Sequence, residues 1–508
     1  MKKYIGICCL LAMAFIAGCI DDRGNYDYIP SSEVFPVKIT GLDTSYDCLV
    51  GDTIRARPVV TGADKDLKYT WFVYQRGVAF SAEDTLCHTK DLEWLVDRDV
   101  NTYYLLFEVR DTVRDLFVKK TLNLNVSTIY STGWFVLEDN GTSTDLDMVS
   151  NGKTTENLMT TFGSGRMEGQ AIKIDFKDRH PQEVENVDGT VTKEYKKAYT
   201  VISGRDMRVY DAQNMAVLKY KDDCFYEMPE NLRLLNVATK TTSDEVNVNG
   251  KFYLMSTGNI GKFGYPMMGT DGTENYRIFK DGILYAQHCF LWDEVSQSFV
   301  YAYVGNSKFN VLNEAGDGEV NYGVVSNTGC EMKSFRFRGY KSSVYSAYAL
   351  WLSREGKYEI LDLGFKSTNY PIRGKYSLPV GSRLTEAEVV EAHQTEAKIF
   401  FSKGNQLYEH LVNPNTELSS RERVVYTFPA GEEISCIRHV VADNKYIEMQ
   451  LNHLIVLTNS ASGWKMYGFE FINGGGEFDM TVLPEKAMIG QGEGNARYVM
   501  RMDNNRTF

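Results

Sequence analysis

Catalysis or metal binding in this chain would have to be built from seven histidines, nine cysteines and 67 carboxylates. The histidines are His88, His180, His288, His393, His410, His439 and His453. No two of them form HxH, HxxxH or HExxH, and none stands beside a cysteine doublet. Those spacings put two ligands on one helical face or one turn, so no helix-borne zinc site and no cofactor is expected. Glu391–Ala392–His393 comes nearest and reads as a solvated strand or turn. Gly163–Ser164–Gly165 lacks the strand and helix that flank a nucleophile elbow. Gly490–Gln491–Gly492–Glu493–Gly494 has the glycines of a phosphate loop without its Lys-Ser/Thr, and reads as a flexible turn. Asp139–Asn140–Gly141 with Asp145 and Asp147, and Asp271–Gly272 with Glu274, offer oxygen ligands for calcium. Hairpin turns favour the same residues, and neither set has the full loop spacing of a calcium hand. No carboxylate pair stands out as a glycosidase couple, although a fold of repeated sheets can bring distant residues together. No catalytic residue is assigned. Six cysteines (Cys48, Cys87, Cys224, Cys289, Cys330 and Cys436) are scattered without a CxxC and read as small buried hydrophobes. Cys48 and Cys87 share one expected domain, and whether they pair stays open.

The first residues address the chain to a compartment. Met1–Lys2–Lys3 is followed by a short apolar run from Ile5 to Ile16, too short to span a bilayer. The run ends in Ile16–Ala17–Gly18–Cys19, which resembles the lipobox of bacterial lipoproteins. Residues 1–18 are therefore expected to be a signal peptide, with Cys19 acylated and residues 19–33 a tether. Asp21 and Asp22 directly after the lipid cysteine resemble the surface-export signal of Bacteroidetes lipoproteins. The expectation is an outer-membrane, lipid-anchored, surface-exposed protein.

Composition sets the fold class. A chain of 508 residues with 43% hydrophobic and 24% charged residues buries a core, which excludes disorder and a polytopic membrane protein. Thirty-two Tyr, 26 Phe and 42 Gly against 11 Pro favour β-structure. A net charge of −12 without a basic block is a poor match to nucleic acid. From Val34 to about residue 130 the pattern is alternating strands, as in Lys68–Tyr74, Tyr103–Val109 and Val118–Val126. It reads as an immunoglobulin-like sandwich, and the order of YTWFVY and YYLLFEVRD resembles PKD-type domains. From residue 131 to 508 an apolar strand, a Gly/Asn/Asp turn and an alternating strand recur. The members begin at Trp134, Tyr199, Phe252, Phe299, Ala347, Lys398 and His453. A hairpin repeating about every 53 residues is the signature of propeller blades, so an all-β chain of sandwich plus β-propeller is expected, with seven blades by this count and six or eight as the alternatives.

A lipobox, then DDRGNYDY, an Ig-like domain and STGWFVLED resembles the PKD-like family of Bacteroidetes lipoproteins over essentially the whole mature chain. The resemblance implies a non-enzymatic accessory of a SusC-like TonB-dependent transporter and its SusD-like lipoprotein. Its ligand would be an oligopeptide in preference to an oligosaccharide, because six Trp are few for sugar platforms. A propeller hydrolase or lyase, and a purely structural importer subunit, are the alternatives. Asp52–Thr53, Asp84–Thr85 and Asp111–Thr112, each followed by an aliphatic residue, resemble Bacteroidetes O-glycosylation sites at Thr53, Thr85 and Thr112. Ligands are expected at the axial mouth of the propeller, with Tyr265, Met267, Met268 and Tyr276 as an adaptable surface. The competing reading of these four is that they plug the channel.

Overall fold

The computed structural model describes residues 31–507 apart from 63–65, 77, 186–188, 241–242, 257–260, 286, 313–322, 367–370, 413–420, 443–450, 473–476 and 504–505. Cys19, Asp21 and Asp22 lie outside the described residues. The chain divides into two compact units, Met1–Val126 and Ser127–Phe508. No helix among the described residues is long and apolar enough to cross a membrane.

The first unit is a β-sandwich. A five-stranded sheet runs in the order Ser45–Leu49, Leu116–Ser127, Asn101–Asp111, Leu67–Gln75 and Thr85–Cys87. Two short pairs, Lys38–Thr40 with Val59–Thr61 and Thr53–Ala56 with Leu92–Leu95, pack into the same core. Alternation explains the burial: Trp71 and Val73 point inward from one strand, Leu105, Phe107 and Val109 from its neighbour. Trp71 lies opposite Phe107 with ring centroids 4.6 Å apart, and its Nε1 donates to the Lys90 carbonyl at 3.1 Å. No disulfide forms among the described residues: Cys48 is buried and its thiol donates to the Asn125 carbonyl. Ser31–Val34, at the end of the expected tether, form one helical turn.

The second unit contains seven antiparallel sheets among its described residues, taken in chain order. Six of them are built from consecutive strands, the first of each lying at one edge: Ala171–Glu185, Leu234–Thr239, Ile283–Tyr285, Glu331–Lys341, Val390–Ala392 and Glu433–Ala442. The first sheet is different. Its hairpin of Thr132–Asp139 and Ser143–Ser150 is completed by Asn495–Asp503, 345 residues beyond Ser150, which pairs with Thr132–Asp139. Gly494 makes this join possible: its φ is +78°, and a Cβ there would collide with the Glu138 carboxylate.

Each sheet buries both faces, because successive side chains point to opposite sides. Phe135 and Leu137 pack with Ile174, Tyr199 and Val201 of the second sheet, whereas Trp134 and Val136 pack with Ile455, Leu457 and Trp464 of the seventh. The same arrangement joins the second sheet to the third, the third to the fourth, and so on to the seventh. Seven apolar clusters thus link the sheets, each cluster shared by two neighbours.

The repeats expected at Phe252 and Phe299 are each one strand out of phase: Ser298–Tyr303 is the third strand of its sheet, between His288–Asp293 and Asn310–Val311. Lys251–Ser256 is the last strand of its sheet, paired with Ser243–Val248. Beyond Gly261 the segment containing Pro266 makes isolated bridges, such as Tyr253 with Pro266 and Met268 with Lys308. Proline has no amide hydrogen to give a ladder, which ends the regular pairing here.

Candidate binding cavity

One cavity of about 830 Å³ lies where the edge strands of six sheets converge with the Asn495–Asp503 strand of the first. Asp175, Asn236, Asp281, Arg336, Glu391 and Arg438 line it from six sheets, and Arg497 and Tyr498 from the Asn495–Asp503 strand of the first. Strands converging from seven sheets stand too far apart for their side chains to fill the middle, so polar groups are tolerated there in contact with water.

Glu391 sits at the centre of the electrostatics. Burial pushes its carboxyl up to about 7, against the pull of the Arg336 and Arg438 guanidinium groups and the His439 backbone N–H. Arg336 lies 3.4 Å from Asp281, and its Nε is buried without a hydrogen-bond acceptor among the described residues. Arg438 donates to the Tyr498 hydroxyl at 2.7 Å and the Val499 carbonyl at 2.9 Å, and lies over the Tyr498 ring. Lys173 donates to Asn236 Oδ1, and Asp175 accepts from the Thr239 N–H. An aromatic group flanks these charges: Tyr285, which is 42% exposed, lies 5.6 Å from both Phe337 and Tyr340 by ring centroids. This arrangement can hold a polar oligomer through charged hydrogen bonds and stack an apolar or ring portion on tyrosine.

The four residues singled out from the sequence are not among those lining this cavity. Met267 and Tyr276 lie in the core between the third and fourth sheets, the Tyr276 hydroxyl donating to the Met267 carbonyl and accepting from the Phe252 N–H. Tyr265 is 80% exposed and Met268 37% exposed. Thr53 and Thr112 are exposed in the first unit, and Thr85 is half-buried.

The Asp-rich turns spend their oxygens internally. Asp139 accepts from Gly141 N–H, Ala171 N–H and Arg497 Nε. Asp145 accepts from the Leu146 and Met159 N–H groups and the Thr160 hydroxyl, and Asp147 from Asn157 N–H and Trp464 Nε1. Asp271 accepts from Thr273. Glu391–Ala392–His393 ends a strand, Val390–Ala392, in keeping with the solvated strand or turn expected of it except in its burial. Glu391 faces the cavity, while His393 is fully buried near Phe400 and Phe471, its Nδ1 accepting from two backbone N–H groups. The Gly490 segment is likewise ordered: Met488–Gly492 is a strand paired with Gly463–Ile472.

Arg336 and Arg438 went unnoticed in the sequence, and Glu391 was singled out only as part of Glu391–Ala392–His393. The available signal was a charge breaking an apolar strand at the head of a repeat, as in Phe335–Arg336–Phe337 and Ile437–Arg438–His439.

A comparison with curated proteins finds no match. A solved structure to which the chain is similar is the crystal structure of a quinonprotein alcohol dehydrogenase-like protein from Bacteroides thetaiotaomicron. The identity is 11%, with 91% of this chain and 97% of that one covered and a TM-score of 0.40, too slight a likeness to build on. The model of the PKD-like family matches residues 19–171, a segment that takes in the whole sandwich and the first hairpin of the seven-sheet unit. Over that segment the chain is similar to the PKD-like family.

Proposed function

We propose that the chain is a non-enzymatic binding protein of the cell surface, anchored by a lipid on Cys19 and accessory to a SusC/SusD-like importer. In this reading the seven sheets are the blades of a seven-bladed propeller, closed by the C-terminal strand. The observation that carries it is the cavity of about 830 Å³, reached by a strand of every sheet and lined by converging polar groups. That volume suits a short oligomer, as ligand sites generally run to several hundred cubic ångströms. The lipobox and Asp21–Asp22 support the anchor and its export. Confinement to a membrane raises the protein's effective concentration beside an importer without new contacts.

A second reading is favoured by one observation. Glu391, with a carboxyl poised near 7 inside a cavity, has the character of a general acid or base, as a hydrolase or lyase would need.

Gentle detergent extraction with an affinity tag on this protein tests the importer role. Co-recovery of a TonB-dependent barrel and its lid lipoprotein is expected. Recovery of neither, at low salt with crosslinking, leaves a free-standing binder. Incubation with peptide and polysaccharide panels tests the second reading: turnover abolished by Glu391→Gln would replace binding with catalysis.

A further inference from the structure

We propose that the cavity takes ligands through their carboxylate groups, with Arg336 and Arg438 as the residues that hold them. The proposal rests on the binding reading above and specifies its ligand.

The charges in the cavity do not cancel locally. Six cations line it: Lys173, Lys240, Lys280, Arg336, Arg438 and Arg497. Two are committed to carboxylates outside the lining, Lys240 to Glu245 and Arg497 to Asp139. The others are differently placed. Arg438 and Lys173 direct hydrogen bonds to neutral acceptors, which leaves their charge in place. Lys280 is exposed, and Arg336 holds Asp281 at 3.4 Å while its Nε has no acceptor among the described residues. Of the three lining carboxylates, Asp175 already accepts from two backbone N–H groups and Asp281 faces Arg336. Glu391 lines the same cavity and is drawn toward its ionised form by both Arg336 and Arg438, although burial raises its carboxyl to about 7.

A buried guanidinium donor left without an acceptor is costly, and a carboxylate is the acceptor whose geometry fits it. The rest of the chain is acidic, at −12 overall, so its surface repels anions and the cavity concentrates what attraction there is. Tyr285 and Phe337 provide an apolar wall beside these cations, which selects an organic acid over a bare inorganic anion.

Two ligand sources share this chemistry, acidic peptides and uronic-acid oligosaccharides. Calorimetric titration of the full chain in detergent at pH 8 separates them with four probes: tetraglutamate, tetraglutamine, tetragalacturonate and a neutral galactose tetramer. At least one acidic tetramer is expected to bind more tightly than its neutral counterpart by about tenfold or more, and the acidic arm that binds identifies the source. Arg336→Gln and Arg438→Gln are each expected to weaken that binding by about tenfold, and Glu391→Gln, which removes the internal competitor, to strengthen it. Unchanged melting temperature establishes that each variant is folded. Should either arginine variant fail to fold, Lys173→Gln and Lys280→Gln carry the same test at more accessible positions. Neutral tetramers binding as well as acidic ones, with the arginine variants indifferent, overturn the carboxylate assignment and leave the binding reading standing. No binding by any of the four overturns both.

Discussion

The two units solve the burial problem differently, and the difference decides where chemistry can reside. The first unit collects its apolar side chains into one cluster around Trp71, with short strand pairs closing over a five-stranded sheet. The second unit distributes its apolar side chains into seven clusters between sheets and keeps polar groups where the edge strands meet. A sandwich can fill its middle, whereas strands converging from many sheets leave a space that side chains do not fill. Titration follows the same division. In the first unit the displaced groups are Tyr46, Cys48, Tyr103 and Arg110, all titrating far above neutrality, with burial pushing Cys48 up to about 11 and Tyr103 up to about 12. In the second, burial lifts Glu138, Asp147 and Glu391 to about 7 and Asp244 to about 6, and lowers His180 to about 3.

The most damaging change expected is removal of residues 494–508. The Asn495–Asp503 strand supplies Ala496, Val499, Met500 and Met502 to the clusters on both faces of the first sheet. Without it, calorimetry is expected to show the second unit losing its cooperative transition while the first keeps its own. A second unit that still melts cooperatively would mean that the ring does not depend on this strand.

Next in size are the buried tryptophans. Trp71→Ala and Trp292→Ala each remove a side chain that is 0–1% exposed. Each is expected to cost about 3–5 kcal/mol, confined to the unit that contains it. A shift of both transitions by either variant would contradict the independence of the units.

A pH-dependent effect comes third. Asp147 is buried, with its carboxyl raised to about 7. A carboxyl raised on folding binds its proton more tightly in the folded chain, so its contribution to stability falls as pH rises from about 4 to about 7. Asp147→Asn removes that slope. Relative to the unsubstituted chain, the variant's second unit should gain stability over this window, on the order of a few kcal/mol at about 1.4 kcal/mol per unit. Parallel melting curves from pH 4 to 8 would show that Asp147 is not buried as described. The smallest effect is expected at Arg55, whose contact with Glu93 leaves both side chains more than half exposed. Arg55→Ala should cost below about 1 kcal/mol in the first unit.

How much of this was legible depended on whether the signal was local. Alternation through Lys68–Tyr74 and Tyr103–Val109 marked two strands that pair with Trp71 opposite Phe107, because one inward face is enough to write a period of two. The hairpins at Trp134, Ala347 and His453 were readable for the same reason. At Phe252 the apolar run belonged to the last strand of a sheet, and the glycines and Pro266 after it resembled a turn that leads to no second strand. The cavity was hidden. Its residues come a few at a time from seven sheets between residues 171 and 498, so no spacing links Asp175 to Arg336 or Glu391. Tyr265 and Met268 drew attention because they cluster in sequence, which says little about convergence in a ring.

Arginine footprinting with phenylglyoxal, read residue by residue by mass spectrometry, tests the claim that the ring's centre is the binding site. In the presence of a saturating acidic tetramer, Arg336 and Arg438 should be modified several-fold more slowly, while Arg55 and Arg76 of the first unit react at unchanged rates. Unchanged modification of Arg336 and Arg438 under a ligand that calorimetry shows to be bound would place the site elsewhere and contradict the account.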